Sequence, residues 1–554
     1  MPAVKIDPNF FNHDAQAGGF FPITHTNPGF DIEAFLSGPG KNLLIEGIRG
    51  TGKTHILKMV ASTALSTYSD KKILPVYISI SKVSEWESRE VHIFRIHLYA
   101  NIVNETISTI EKEYASIGFQ KSSNVDNAIN KIKKMFGVEI DGDITEILRK
   151  IRVINENLLS QLTYNQEQIL ERVKKEYAER STFGGSLKTF QASWDEILKI
   201  LSEKEIIFVG KNFAYENASQ FLVEFFKQLN EILGSRYIIL LLDECSETSA
   251  EAQIEIFRLL KLIRGSFTSD MEKNYVYFCA SVYPPYSTSY PSKSQGQNFN
   301  FEPGQDATVE YLQMDELSDE YESFFSELTK KRLEFFCEKK ITSPIKAIFE
   351  NEGAFFLAAY GANGIPRRYL EILKQGYDTL CQRSGSDGDT KRISQKDIED
   401  GIQTVASNQI LSSTKLKSDD FKIIEEIAQR IGTRNKKTET ENKEKMKKLP
   451  ANDYFTINRS QFDEFIRLLL QGCVHEKGRT RLKKYYKEEG SQGPLLMLDL
   501  SLLIQYGAID KRRVVDIVRK DLKENAKSGY LYCQDFDLRQ FAYQKSKNNY
   551  KITD

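Results

Sequence analysis

The segment that most constrains this chain is Gly47-Ile48-Arg49-Gly50-Thr51-Gly52-Lys53-Thr54, a full G-x-x-x-x-G-K-[ST] pattern. The apolar run Leu43-Leu44-Ile45 precedes it and reads as a buried strand; the amphipathic run His55–Ala61 follows and reads as a helix. Strand, glycine-rich loop and helix form the context in which the pattern cradles phosphate. The glycines let backbone N–H groups turn inward, and the helix adds its positive N-terminal end. Lys53 supplies a point charge for the outer phosphates, and the Thr54 hydroxyl is a ligand for Mg²⁺. Gly47, Ile48, Arg49, Gly50, Thr51, Gly52, Lys53, Thr54 and His55 are therefore the expected contacts of a bound ATP or GTP.

The bulk properties exclude several alternatives. The 554 residues carry a net charge of −1, so any nucleic-acid surface has to be a local patch. The six cysteines are far apart and form no C-x-x-C pair, which disfavours zinc ribbons and a disulfide framework. The first residues lack the apolar core of a signal peptide, and no run of about 18 apolar residues occurs. A cytoplasmic protein without a membrane span is the expectation.

Apolar runs at 73–80, 237–242, 275–280 and 308–312 read as further strands. Helical patterns alternate with them, which implies an α/β fold with a parallel sheet covered on both faces. Residues 92–205 keep helical spacing with few breakers and read as a helical insertion. The expected domains are an entry segment at 1–40, a base at 41–315, a helical lid at 316–410, a linker region at 411–449 and a C-terminal domain at 450–554. Residues 434–448 are charged and apolar-poor, and read as a solvated linker or loop.

Leu240-Leu241-Leu242-Asp243-Glu244 is an apolar strand ending in two carboxylates. Ligands collect at the carboxyl ends of parallel strands. Asp243 is the candidate metal carboxylate, with Thr54, and Glu244 is the candidate general base that polarises water. Ser281, at the end of the next strand, and Tyr283 beyond it are candidates for orienting that water or touching the terminal phosphate. Gly364-Ile365-Pro366-Arg367 breaks two apolar helices, and Arg367 is placed to aim a guanidinium at the nucleotide.

Together these motifs resemble AAA+ ATPases of the origin-recognition/initiator type, and the related STAND signalling ATPases, over roughly residues 40–410. The resemblance implies a P-loop AAA+ core that hydrolyses ATP with Mg²⁺. Lys53, Glu244, Ser281 (as "sensor 1") and Arg367 (as "sensor 2", with Gly364 and Pro366) would serve as the catalytic set. It also implies a C-terminal winged-helix-like domain, with Gln461–Leu470 and Leu495–Tyr506 as helices and Gly529–Asp535 as a strand or wing. Residues 471–554 hold 17 Lys and Arg against 11 Asp and Glu, a local charge of +6. Arg479, Arg481, Lys483, Lys484, Lys511, Arg512 and Arg513 are either phosphate contacts for DNA or the solvated face of a protein-docking domain. Such ATPases usually carry an arginine finger between the fourth and fifth strands, yet residues 282–307 contain no arginine. Arg258 and Arg264 are the nearest substitutes.

Two readings of function lead from the sequence, ahead of a third, a structural nucleotide-binding scaffold with negligible hydrolysis, which ranks last because Glu244 is intact. One is a nucleotide-driven switch or loader on DNA or partner proteins, including roles in mobile elements or host defence. The other is a STAND-like signalling ATPase, triggered by a protein at the insertion and assembling into a homo-oligomer.

Overall fold

The computed structural model describes residues 6–12, 18, 20–86, 91–113, 117, 123–140, 142–164, 206, 209–210, 212–213, 218–264, 274–297, 299–316, 318–337, 340–384, 391–445, 454–457, 462–481, 492–509 and 534–535. The chain divides into two compact units. One comprises Asp31–Glu46 and Ile56–Glu310; the other comprises Met1–Phe30, Gly47–His55 and Tyr311–Asp554.

The first unit is α/β, as expected. Its strands are β1 (Leu43–Glu46), β2 (Ile73–Ser79), β3 (Tyr237–Asp243), β4 (Val276–Val282) and β5 (Thr308–Tyr311), in the order β2-β3-β4-β1-β5. The β2–β3, β3–β4 and β4–β1 pairings are all parallel. Every residue of β1 and of β3 is buried, because a parallel strand covered on both faces has no solvent side to make polar. Registers Ser79↔Asp243, Leu242↔Ala280 and Glu46↔Val282 align the carboxyl ends of β1 to β4 along one edge. The chain leaves β1 at that edge to enter the glycine-rich segment.

The described part of the expected insertion consists of α-helices Val91–Lys112, Ser123–Phe136 and Ile144–Tyr164. Their apolar faces (Ile96, Val103 and Ile107; Ile132 and Phe136; Ile147, Ile151 and Ile154) join the same core as Leu240 and Phe278 of the sheet. These helices thus enlarge the base core. Residues 165–205 lie outside the described residues. Helices Ala218–Leu233 and Ala250–Arg264 complete the unit. Arg95 donates from Nε and Nη2 to Glu255 at 2.7 and 3.0 Å, a buried pair that ties the first insertion helix to the helix Ala250–Arg264.

In the second unit the segment read as a lid holds helices Tyr321–Phe336, Pro344–Ile348, Glu352–Gly361, Pro366–Ser384 and Gln395–Val405. The entry segment is pinned to the first of them. Arg332, buried, donates to the carbonyls of Phe10 (2.6 Å), Asn9 (3.2 Å) and Asn12 (2.5 Å).

Two expectations are corrected here. Residues 434–445, read as solvated linker, continue the helix Ser418–Lys445. The stretch lacks glycine and proline, and it extends a helix already nucleated by an apolar face through Ile424, Ile427 and Ile431. Leu495–Tyr506, read as one helix, is the strand β8 (Gln492–Leu498) followed by the helix Leu500–Gln505, N-capped by Asp499. The run Leu495–Ile504, apolar but for Asp499 and Ser501, has too little periodicity to separate strand from helix. With β6 (Tyr454–Thr456), β7 (Val474–Arg481) and β9 (Gln534–Asp535), β8 forms a four-stranded sheet, β7-β8-β6-β9. The helix Phe462–Leu470 falls where the sequence places it. Residues 529–533 lie outside the described residues.

Candidate nucleotide site

The loop is built around backbone conformations that only glycine adopts cheaply. Gly50 and Gly52 have φ of 89° and 95°. At Gly50 a side chain would also meet Ile365 Cγ2 at 3.0 Å and Arg367 Cβ at 3.1 Å. A Cβ at Gly47 would lie 2.4 Å from Thr51 Oγ1, which donates to Ile48 O at 2.9 Å and closes the turn. Lys53 Nζ donates to the carbonyls of Gly47 (2.6 Å) and Ile48 (3.0 Å), so the ammonium spans its own loop. Thr54 follows it in the first turn of the helix Lys53–Ser66. Arg367 N–H donates to Gly50 O at 3.3 Å, so the arginine turn braces the loop directly.

His55 Nε2 lies 3.2 Å from His25 Nδ1, with the rings stacked at 5.2 Å, and Phe20 packs edge-on at 5.3 Å. Burial, with Lys331 beside it, lowers the His25 pKa to about 4, against a weaker opposing pull from Glu327.

The carboxylates form a second, separate constellation at the carboxyl edge of the sheet. Asp243 and Ser281 are each 1% exposed. Asp243 Oδ1 accepts from Ser281 Oγ at 2.7 Å and from Glu244 N–H at 3.0 Å; Oδ2 accepts from Tyr77 OH at 2.7 Å. Glu244 has φ of 65°, a left-handed conformation that costs a non-glycine residue roughly 1–2 kcal/mol. It is held there by its N–H to Ser281 Oγ (2.9 Å), and its Oε2 accepts from Ser79 Oγ at 3.1 Å. Backbone strain persists where surroundings over-determine it, commonly at functional sites. Burial and the Asp243 charge push the Tyr77 pKa upward, which keeps the phenol a donor. Burial likewise raises the pKa of Cys245 and of Cys279, so both remain neutral thiols.

The structure thus brings together Asp243, Glu244 and Ser281, and separately the loop and Arg367. Ser281 lies inside β4 and grips both carboxylate residues. Tyr283 turns away: its N–H donates to Ser246 Oγ (2.9 Å) and its hydroxyl to Glu247 (2.5 Å). Arg258 lies 3.4 Å from Glu255, within the buried pair described above. The side chain of Arg264 lies outside the described residues. So do Lys483, Lys484, Lys511, Arg512 and Arg513 and the side chains of Arg479 and Arg481. Tyr77 and Ser79 were missed by sequence reasoning. Their only signal is position, as polar residues near the end of the strand paired to β3. Among the described residues no group of three or more His, Cys, Asp or Glu could hold a metal alone.

The loop by itself fits a phosphate chain: a glycine cradle that a Cβ at Gly50 would fill, with the Lys53 ammonium and the Thr54 hydroxyl at the start of the following helix. Fold and loop define a phosphate-loop α/β protein. Among solved structures, the chain is similar to ORC2 of Aeropyrum pernix, described as ADPNP–ADP complexes, at 12% identity and a TM-score of 0.36, covering 95% of this chain and 100% of that one. It is also similar to ORC1 of Aeropyrum pernix in complex with DNA, at 12% identity and a TM-score of 0.30, covering 86% and 88%. No family model matches the chain, and no curated protein does.

Proposed function

We propose that this chain binds and hydrolyses ATP and acts as a nucleotide-driven switch of the AAA+ initiator type. The observation that carries this reading is the strained Glu244 beside a fully gripped Asp243, at the sheet edge where β1 hands over to the phosphate loop. In it, Gly50, Gly52 and the neighbouring loop amides receive the phosphates. Lys53 exchanges its own-loop carbonyls for the outer phosphates, and Arg367 reaches the same group from the lid. Thr54 and Asp243 would hold Mg²⁺, which neutralises charge developing on the phosphates. Glu244 takes a proton from the attacking water, and Ser79 and Ser281 fix its direction. Loss of the γ-phosphate then loosens the tie between Lys53 and Arg367, a recognised way to bias a two-state element.

The +6 charge of residues 471–554 makes DNA the first partner to test. A protein-triggered, STAND-like switch is the second reading, favoured by the lack of any arginine at 282–307 and by the pairing of Arg258 with Glu255. Among the described residues no helix is long and apolar enough to cross a membrane. The deciding experiment is ATP turnover by the purified chain, alone and with double-stranded DNA, beside Glu244→Gln. Stimulation by DNA that vanishes in the variant supports the DNA-associated switch. Slow turnover indifferent to DNA supports the protein-triggered one. Turnover retained by Glu244→Gln removes Glu244 as the base.

A further inference from the structure

The turn that braces the phosphate loop is fastened on its other side to the C-terminal sheet. Asn363 adopts φ of 50° and Gly364 φ of 75°. A Cβ at Gly364 would lie 2.1 Å from Met314 O, so the turn is seated against the chain entering the lid. From this turn the two arginines diverge. Arg367 gives its N–H to Gly50 O. Arg368 is buried and donates to Asp499 Oδ2 and to Gly472 O.

Asp499 caps the helix Leu500–Gln505 and is fully buried. Its Oδ2 accepts from Arg368, from His475 Nε2 (2.9 Å) and from Asn363 Nδ2 (3.0 Å); its Oδ1 accepts from Ser501 N–H (3.0 Å) and hydroxyl. Asn363 Oδ1 accepts in return from Leu500 N–H at 3.2 Å. His475 Nδ1 faces Gln313 Nε2 at 3.1 Å, and Gln313 also donates to Asn363 O at 3.2 Å. That assignment makes the imidazole neutral with its proton on Nε2. Every donor around this carboxylate therefore comes either from the Asn363–Arg368 turn or from the C-terminal domain. Capping a six-residue helix does not require such a set.

We infer that Asp499 is a positioning residue: it holds the Asn363–Arg368 turn in the geometry that braces Gly50, and so couples the state of the C-terminal sheet to retention of nucleoside triphosphate. The inference rests on the proposed nucleotide reading for its ligand, but on the structure alone for the brace. Coupling is reciprocal, so a partner that pulls on the C-terminal sheet loosens the loop, and nucleotide in the loop stiffens the sheet's attachment. A buried charge network that loses one member leaves the others uncompensated, whereas an apolar pair in its place often folds normally.

The test uses the full chain as wild type, Asp499→Asn, the pair Arg368→Met with Asp499→Leu, and Lys477→Met. Lys477 pairs with Glu316 and ties the same sheet to the segment before the turn through a different carboxylate from Asp499, so it controls for general loosening. Amide exchange of residues 47–55 is read without nucleotide, and affinity is read with a fluorescent ATP analogue. Asp499→Asn and the apolar pair should speed loop exchange by at least about 5-fold and weaken ATP about 5- to 30-fold, a range carried by packed contacts. Lys477→Met should leave both unchanged. Should Asp499→Asn not fold, the apolar pair carries the test. Faster exchange at 499–503 with loop exchange and ATP affinity within twofold of wild type overturns the inference. So does an equal effect of Lys477→Met. A wild type that binds no ATP refutes the nucleotide reading, and the exchange arm then decides the brace by itself.

Discussion

Ser281→Ala is the sharpest probe of the carboxylate constellation. The hydroxyl is buried and makes two bonds, donating to Asp243 Oδ1 at 2.7 Å and accepting from Glu244 N–H at 2.9 Å. A hydrogen bond to a charged group is worth about 1.5–3 kcal/mol net. The second bond counts for less, because Glu244 N–H keeps Asp243 Oδ1 at 3.0 Å as an alternative acceptor. Together they give about 2–3 kcal/mol of local stability, with about 1–2 kcal/mol of left-handed strain at Glu244 then less well opposed. The chain has two units, so a global melting curve is the wrong instrument. Amide exchange at residues 240–244 and 279–282 reports the local opening free energy directly. It should fall by about 2–3 kcal/mol. ATP turnover should fall about 10- to 100-fold, as when the orienting partner of a metal ligand is lost. A change below about 0.5 kcal/mol with turnover intact would show that Ser281 does not hold the pair, since even one neutral hydrogen bond is worth that much.

The remaining predictions address the other parts of the site. Tyr77→Phe removes the phenolic donor to Asp243 Oδ2; combined with Ser281→Ala it should deviate from additivity by more than about 0.5 kcal/mol, because both act on one carboxylate. Lys53→Ala should abolish the stabilisation by ATP, about 2.7 kcal/mol at a hundredfold excess over Kd, and an unchanged ATP-induced protection of residues 47–55 from amide exchange would sink the loop assignment. Glu244→Gln should bind ATP and lose turnover, checked by equilibrium binding beside a phosphate-release assay. Acidification should weaken the packing of the entry segment through His25. Its folded pKa of about 4 lies below the unfolded 6.5, so the unfolded chain binds the extra proton and stability declines as pH falls from 6.5 towards 4. His25→Gln should flatten that limb in a stability-versus-pH series, and an unaltered slope would refute it.

Local sequence carried the parts of this protein whose physics is local. The phosphate loop was legible because Gly50 and Gly52 are required by positive φ, and β3 because a strand buried on both faces is a continuous apolar run up to its terminal Asp243. The helix Ser418–Lys445 was misjudged over its last turns, since charge density alone does not separate a solvated helix from a linker. The strand–helix break at Asp499 was missed because Asp499 and Ser501 alone do not set a period in an otherwise apolar run. Tyr77, Ser79 and the placement of Ser281 became visible only through strand register, which sets Ser79 opposite Asp243 and Leu242 opposite Ala280. Register is a long-range pairing that no window of sequence encodes. The same holds for Arg368 and Asp499, neighbours in space though 131 residues apart. The sequence determined which chemistry the chain carries, because residue type fixes charge, donors and allowed backbone angles. Tertiary structure decided which groups share a carboxylate and which turn braces the loop, because a buried charge takes whatever donors the fold brings to it.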